Sequence, residues 1–238
     1  YCIQIYCDFS GYSDMAIGIA LLLGFKIPMN FNAPLTADSM TDFWRRWHIS
    51  LSTWIRDYVY ISLGGNKKGT LRMYFNQMVA MTACGLWHGA SLNFVVWGVL
   101  HGALVCVHKF WSQTVLKHDR RYHPSGLRRF ISVFITFHVL CFTWLFFRCK
   151  DFDAVWVMVK QMFTKFNPSV LPDVFMGYKY VFLLMIFALL THWIPDSWQN
   201  RCVRILEKGG VLLSAIAITI VIRSEEHTSE LQSPAMIS

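Results

Sequence analysis

The sequence predicts an all-α fold, a polytopic bundle of transmembrane helices, on three observations. Of 238 residues, 55% are hydrophobic and only 15% are charged, against about 25% charged in soluble domains. Ten Trp and nineteen Phe suit the aromatic belts that membrane proteins set at the lipid–water boundary. Residues 73–108 form a run of 36 without Asp, Glu, Lys or Arg, long enough for two tight crossings of a bilayer. The net charge of +8 then points to basic cytoplasmic loops and anionic lipid headgroups, not to nucleic acid. The seven Cys show no CxxC pair and no metal-type spacing, so no metal site is expected. Cys84, Cys106 and Cys141 lie in apolar runs and read as small hydrophobes.

In residues 1–25, Asp8 and Asp14 are embedded among apolar residues; carboxylates so placed must face a polar interior, a partner or the interface. Gly11 predicts two short helices joined there, and Asp14 also suits the start of the second. Residues 26–42 predict a loop: Pro28 and Pro34 break helix, Asn30 and Asn32 suit turns, and Thr41 or Asp42 can cap the next helix. Over residues 43–58, Trp44, Trp47, Leu51, Trp54 and Tyr58 share one helical face. Arg45, Arg46 and Arg56 can snorkel or bind anionic groups. A plain interfacial helix explains most of this pattern; His48, lying with the Trp face, argues for a site. The Gly64-Gly65-Asn66-Lys67-Lys68-Gly69 turn is basic and so cytoplasmic, and it lacks the P-loop pattern.

Two central helices are predicted next, 73–87 and 92–107, with a break at Gly89-Ala90-Ser91. Residues 109–129 form a second basic, cytoplasmic loop, which makes the central pair a hairpin. Residues 130–147 are a clean span, although Arg148 and Lys150 at its outer end run against the charge rule. Residues 151–172 read as interfacial, 180–194 as a span closed by Pro195-Asp196, and 211–222 as a final helix. Residues 223–238, beginning Arg223-Ser224-Glu225-Glu226-His227, resemble the translated read-through of a sequencing adapter and are expected to be a non-native tail. The chain opens without Met inside an apolar run, so an N-terminally truncated fragment is expected, with residues 1–222 as its membrane domain.

At the centre of the longest apolar run stands Gly85-Leu86-Trp87-His88-Gly89. A histidine at membrane depth is costly and is a functional candidate by default; the competing reading is a hydrogen bond that holds helices together. Gly85 and Gly89 would leave room for a substrate to approach. His101 lies thirteen residues on, about 13 Å away in depth even across a turn, so His48 is the better partner for His88.

Asp8-Phe9-Ser10-Gly11-Tyr12-Ser13-Asp14, Phe43-Trp44-Arg45-Arg46-Trp47-His48-Ile49-Ser50, Arg56-Asp57-Tyr58, Leu63-Gly64-Gly65-Asn66, Gly85-Leu86-Trp87-His88-Gly89 and Trp97-Gly98-Val99-Leu100-His101-Gly102, together and in this order, resemble the membrane-bound O-acyltransferase family. The nearest branch acetylates alginate and other exported polysaccharides. The resemblance implies a helical bundle around a tunnel, with an acyl donor on one side and a hydroxyl acceptor on the other. It carries the family's invariant histidine onto His88 and its second motif position onto His48, as the catalytic pair. Trp44, Arg45, Arg46, Trp47, Trp87, Asn93 and His101 become candidates to line the substrate channel. Ser62 stands where the family more often has Pro. The implied donor is acetyl-CoA, with no bound cofactor. The implied partners are membrane lipid and a polysaccharide acceptor or periplasmic acetyl-carrier or transferase proteins, and the implied location is the bacterial inner membrane. Two rivals remain on the residues alone: a transporter or acyl-relay component, since buried His and Asp also build proton relays, and a catalytically dead scaffold, which the presence of both His48 and His88 argues against.

Overall fold

The computed structural model describes residues 1–117, 119, 122–191, 193–194, 197–198, 201, 204–205 and 208–210. Pro195-Asp196, the expected final helix 211–222 and the tail 223–238 lie outside the described residues. The chain forms two compact units, Tyr1–His192 and Trp193–Ser238; the helices α1 to α10 all belong to the first. Among the described residues the fold is all helical.

The first helix, α1 (Cys2–Leu22), is continuous, not two short helices. Gly11 has open space around it, and one glycine costs a helix only about 1 kcal/mol. Asp14 is therefore a mid-helix residue and not an N-terminal one. After a 3₁₀ turn at Pro34–Thr36, α2 (Met40–Arg46) is capped by Ser39, whose hydroxyl accepts the Asp42 N–H at 3.2 Å. Ser39, and not Thr41 or Asp42, satisfies the free end.

The single helix expected over 43–58 is broken at Trp47-His48. α3 (Ile49–Trp54) begins after His48, which sits at φ +44° and ψ +56°, and α3 runs into a π-helical turn, Ile55–Tyr60. A left-handed conformation costs a non-glycine residue roughly 1–2 kcal/mol. The preceding loop offsets it by taking up the freed backbone groups. Asn32 N–H donates to the Arg46 carbonyl at 3.0 Å and Ile49 N–H to the Asn30 carbonyl at 3.0 Å. Ser50 N–H donates to Asn30 Oδ1 at 3.1 Å. The break also divides the aromatic face: Trp47 and Leu51 are buried, whereas Trp54 and Tyr58 are 51% and 67% exposed.

The expected hairpin is present as α4 (Thr70–His88) and α5 (Leu92–Phe110), the latter continued by a π-helical turn, Trp111–Val115. Gly89, at φ +155° and ψ +161°, ends α4 in a region open to little but glycine. Fully buried Asn76 donates to the Leu63 and Gly65 carbonyls at 3.3 and 2.9 Å, tying the basic turn to α4. The chain continues through α6 (Gly126–Thr143), α7 (Leu145–Arg148), α8 (Phe152–Thr164), a 3₁₀ turn at Pro168–Val170, α9 (Leu171–Gly177) and α10 (Lys179–Thr191). Leu92–Val115 and Gly126–Arg148 are long and apolar enough to cross a membrane. Pro168–Gly177 and Lys179–Thr191 qualify only as one pair bent by 83°, so the segment expected as a straight span at 180–194 is one arm of that pair and ends as a helix at Thr191. α4 carries Arg72, Asn76 and Gln77 and falls short on apolarity.

The core joins α2, α5, α6 and α7 around Phe43, Trp47, Trp97, Leu140, Trp144 and Phe146. At the α4–α5 crossing the backbones touch. A Cβ at Gly85 would collide with the Phe94 carbonyl oxygen and come within 3.1 Å of Gly98 Cα; one at Gly98 would sit 2.5 Å from the Met81 carbonyl oxygen. Backbone cannot move aside as a flexible side chain can.

Gly98→Ala should therefore lower thermal stability in detergent by the 1–3 kcal/mol typical of overpacking, or more. Gly11→Ala, with nothing to meet, should be neutral or gain up to about 1 kcal/mol. Equal melting temperatures for the two variants would contradict the close crossing.

Candidate functional site

The bend between α2 and α3 borders two clefts. One, of about 380 Å³, is lined by Ile5, Asp8, Phe9 and Tyr12 of α1, by Trp47 and His48 at the bend, by His88 of α4 and Trp97 of α5, and by Trp144 and Phe147. The other, of about 390 Å³, takes Trp44, Arg45, Ile49, Ser52, Ile55 and Arg56 from α2, α3 and the adjoining π-helical turn, and Gln77, Cys84, Val105 and Lys109 from the hairpin. The α2–α3 segment thus presents Trp47 and His48 to one cleft and Trp44 and Arg45 to the other. The left-handed His48 backbone makes this turn.

His88 occupies the last turn of α4 inside a cage of rings. Its centroid is 4.8 Å from Trp87, 5.4 Å from Trp97, 4.9 Å from Phe147 and 6.2 Å from Phe94. Among the described residues no hydrogen bond holds its imidazole. His48 packs on Phe9 at 4.8 Å and on Trp87 at 6.1 Å, and its Nδ1 lies 3.4 Å from Ser50 Oγ. The two histidines share one apolar cleft, with Trp87 in ring contact with both. An imidazole in such surroundings can accept a proton from a bound hydroxyl.

Of the other residues singled out from sequence, Trp47 lines the first cleft and Trp44 and Arg45 the second, and the rest line neither. Arg46 is ion-paired with Asp42 at 2.8 Å and lines neither cleft. Trp87 is 59% exposed. Asn93 is buried and donates to the Cys149 carbonyl at 3.0 Å. His101 is fully buried. Trp44 Nε1 donates to His101 Nδ1 at 3.2 Å. Because an indole N–H can only donate, Nδ1 is the acceptor and Nε2 carries the hydrogen toward Thr143 Oγ1 at 2.9 Å. Thr143 in turn donates to the Leu140 carbonyl at 3.0 Å. Both nitrogens of His101 are used, and they tie α2, α5 and α6 together.

The glycines also differ from the expectation. The space beside Gly85 is filled by α5 backbone and that beside Gly89 by the Phe94 ring, so neither leaves room for a substrate. Sequence reasoning did not place Asp8, Trp97, Trp144 or Phe147 at the site. Asp8 and Trp97 stand within family-like motifs, a signal that could have found them; Trp144 and Phe147 carry none. Asp38, Asp42 and His123 bring ligand atoms within 4.8 Å of one another. His123 Nδ1 already lies 2.6 Å from Asp38 Oδ2 and Arg46 pairs with Asp42, so both carboxylates already have partners within the protein.

A family model described as membrane-bound O-acyltransferase matches residues 1–149. The chain is 46% identical over 164 residues to a probable alginate O-acetylase of Azotobacter vinelandii, covering 69% of this chain and 31% of that protein. It is 42% identical over 162 residues to a peptidoglycan O-acetyltransferase of Helicobacter pylori, covering 68% and 30%. A teichoic acid D-alanyltransferase of Bacillus subtilis is 32% identical over 163 residues, covering 64% and 40%. The chain spans about a third of the length of these curated relatives.

Thr143→Val keeps shape but strands the His101 Nε2–H in the core. It should cost about 1–3 kcal/mol, the penalty for an unmet buried donor, read as a lower melting temperature in detergent. An unchanged melting temperature would contradict the assigned chain of hydrogen bonds.

Proposed function

The chain belongs to the membrane-bound O-acyltransferase family, and on that premise we propose that it forms part of an enzyme moving an acetyl group from a cytoplasmic thioester donor to hydroxyls of an exported polysaccharide. One observation carries the reading. His48 and His88 come from separate segments, forty residues apart, yet line one apolar cleft. In this mechanism His88 is the general base. It takes the proton of the acceptor hydroxyl as the oxygen attacks the thioester carbonyl, then returns a proton to the departing thiolate. His48 orients the acceptor. The aromatic walls exclude water and so suppress hydrolysis of the thioester.

Acetyl-CoA is the donor. The second cleft, with Arg45, Arg56 and Lys109, suits its phosphates, and on this proposal the acetyl group passes the α2–α3 bend to reach the histidines. The acceptor is an alginate-type polymer or a periplasmic acetyl-carrier or transferase protein. Acetyl is favoured over D-alanyl because the O-acetylating relatives are the more similar, at 46% and 42% against 32% identity. The protein is a multi-pass component of the bacterial inner membrane, in contact with its lipid, with residues 65–68 and 117–129 in the cytoplasm by their Lys and Arg excess.

His88→Ala in the complete protein should reduce polymer acetylation by about 10²–10⁴-fold, the usual cost of losing a general base, with abundance and membrane insertion near wild type. Were His88 only inter-helix glue, abundance would fall and turnover per molecule would be kept. Purified variant retaining more than about a tenth of wild-type turnover would overturn the assignment. For topology, single cysteines placed in residues 65–68 and 117–129 should resist a membrane-impermeant thiol reagent added from the periplasm; labelling of either would reverse the orientation.

A further inference from the structure

α1 gives Ile5, Asp8, Phe9 and Tyr12 to the wall of the His48–His88 cleft, so whatever fastens α1 to the bundle also sets that wall. Ring contacts do part of this. Phe9 lies 5.0 Å from Phe31 and 6.3 Å from Trp47, and Tyr6 lies 5.8 Å from Phe31. The first turn of α1 makes a contact of another kind. Cys2 is 7% exposed and belongs to the same buried cluster as Leu140 and Trp144, and Cys141 of α6 packs against that cluster. A side-chain hydrogen bond joins the two thiols. The Arg148 guanidinium stands 5.8 Å from the centre of the Tyr1 ring, so the start of α1 also sits beside the end of α7.

A single buried thiol is explained as a small hydrophobe. Cys106 is of that sort, its thiol facing the Tyr74 carbonyl oxygen of the neighbouring helix at 3.7 Å. Two thiols that meet from helices whose cysteines are 139 residues apart are not covered by that account, since an S–S bond can replace the contact between them. Cys141 lies seven residues before Arg148, where the apolar segment Gly126–Arg148 ends, and so about 10 Å from that end along the helix. With residues 117–129 in the cytoplasm, as proposed above, that end of α6 faces the periplasm, a compartment in which disulfides form and persist.

We propose that Cys2 and Cys141 are a redox site, forming a disulfide that fastens α1 to α6 by exchange with the disulfide of a periplasmic thiol oxidant. Cys141 is the half-buried member of the pair and Cys2 the buried one, which makes Cys141 the thiol that meets the oxidant. Its thiolate attacks one sulfur of the oxidant's disulfide, and the departing thiolate takes up the proton that Cys141 lost. Cys2 then attacks the Cys141 sulfur of the mixed disulfide, and the oxidant's second sulfur leaves with the Cys2 proton. Two thiols of this chain are oxidised to one disulfide, one disulfide of the oxidant is reduced to two thiols, and no other reactant enters. A bond that closes so long a stretch of chain restricts the unfolded state strongly. It holds the α1 wall of the cleft without touching a substrate. Acyl transfer is not a premise of this inference. The membrane orientation is, and the labelling of residues 65–68 and 117–129 tests that separately, so the two can fail independently.

The test uses the complete protein, with free thiols blocked by N-ethylmaleimide as the cells are opened. The purified protein is digested without reductant and its peptides are identified by mass spectrometry. A peptide pair joined through Cys2 and Cys141 should be the main form of both cysteines. The pair should be absent from Cys2→Ser and from Cys141→Ser, and present in the control Cys106→Ser. Thermal unfolding in detergent, with and without dithiothreitol, reads the staple. Reduction should lower the melting temperature of the wild type, and oxidised glutathione should restore it. Each of the two serine variants should melt near the reduced wild type whatever the treatment. Recovery of Cys2 and Cys141 from cells as the blocked free thiols overturns the proposal. So does a joined pair whose reduction leaves the melting temperature unchanged, because the bond then fastens nothing. Both readings are made on the wild type, so they stand even where a serine variant folds poorly.

Discussion

The backbone contact between Gly85 and Gly98 is the constraint on which the site depends. Lipid tails are as apolar as the side chains facing them, so helices in a bilayer associate through close packing and hydrogen bonds rather than by escaping water. Small residues let backbones approach, and here any side chain would meet carbonyl oxygen or Cα. His88 follows Gly85 by one helical turn, and Trp97 precedes Gly98. The distance that the glycines permit between α4 and α5 is thus what sets the His88 and Trp97 rings 5.4 Å apart. A wider crossing would open the cleft and remove the aromatic cage.

His101, His88 and His48 differ in how their nitrogens are used. His101 spends both, one on Trp44 and one on Thr143, and so fixes α2 and α6 against α5. His88 has its ring faces covered by aromatic groups and, among the described residues, neither nitrogen engaged. His48 is held by its backbone, through a left-handed turn closed by Asn30 and Asn32. The first is glue; the second and third are oriented but chemically free enough to serve a bound hydroxyl. That contrast underlies the choice of His88 as base.

The relatives are named for alginate, peptidoglycan and teichoic acid, with acetyl or D-alanyl groups transferred. The proposed chemistry tolerates such breadth. A general base inside an aromatic cage acts on one hydroxyl and one carbonyl, and neither feature reads the rest of the acceptor.

The sequence by itself determined the all-helical class with membrane-span-capable helices, the α4–α5 hairpin and the choice of His48 as the histidine that meets His88, the two lining one cleft. These are written in local features: an uninterrupted apolar run, a Gly-Ala-Ser break, and motif residues in order. Only the tertiary structure decided the rest. The break at Trp47-His48 was hidden because the groups that close it come from Asn30 and Asn32 in the preceding loop, while the residues of 43–58 alone keep a clean helical face. Gly85 and Gly89 read as open space because a glycine's neighbours cannot be seen in sequence; they are filled by α5 backbone and the Phe94 ring. Asp8, Trp97, Trp144 and Phe147 joined the cleft because helices remote in the chain converge there. Sequence period reveals which face of a helix is apolar, but which other helix meets that face is settled by packing between distant segments.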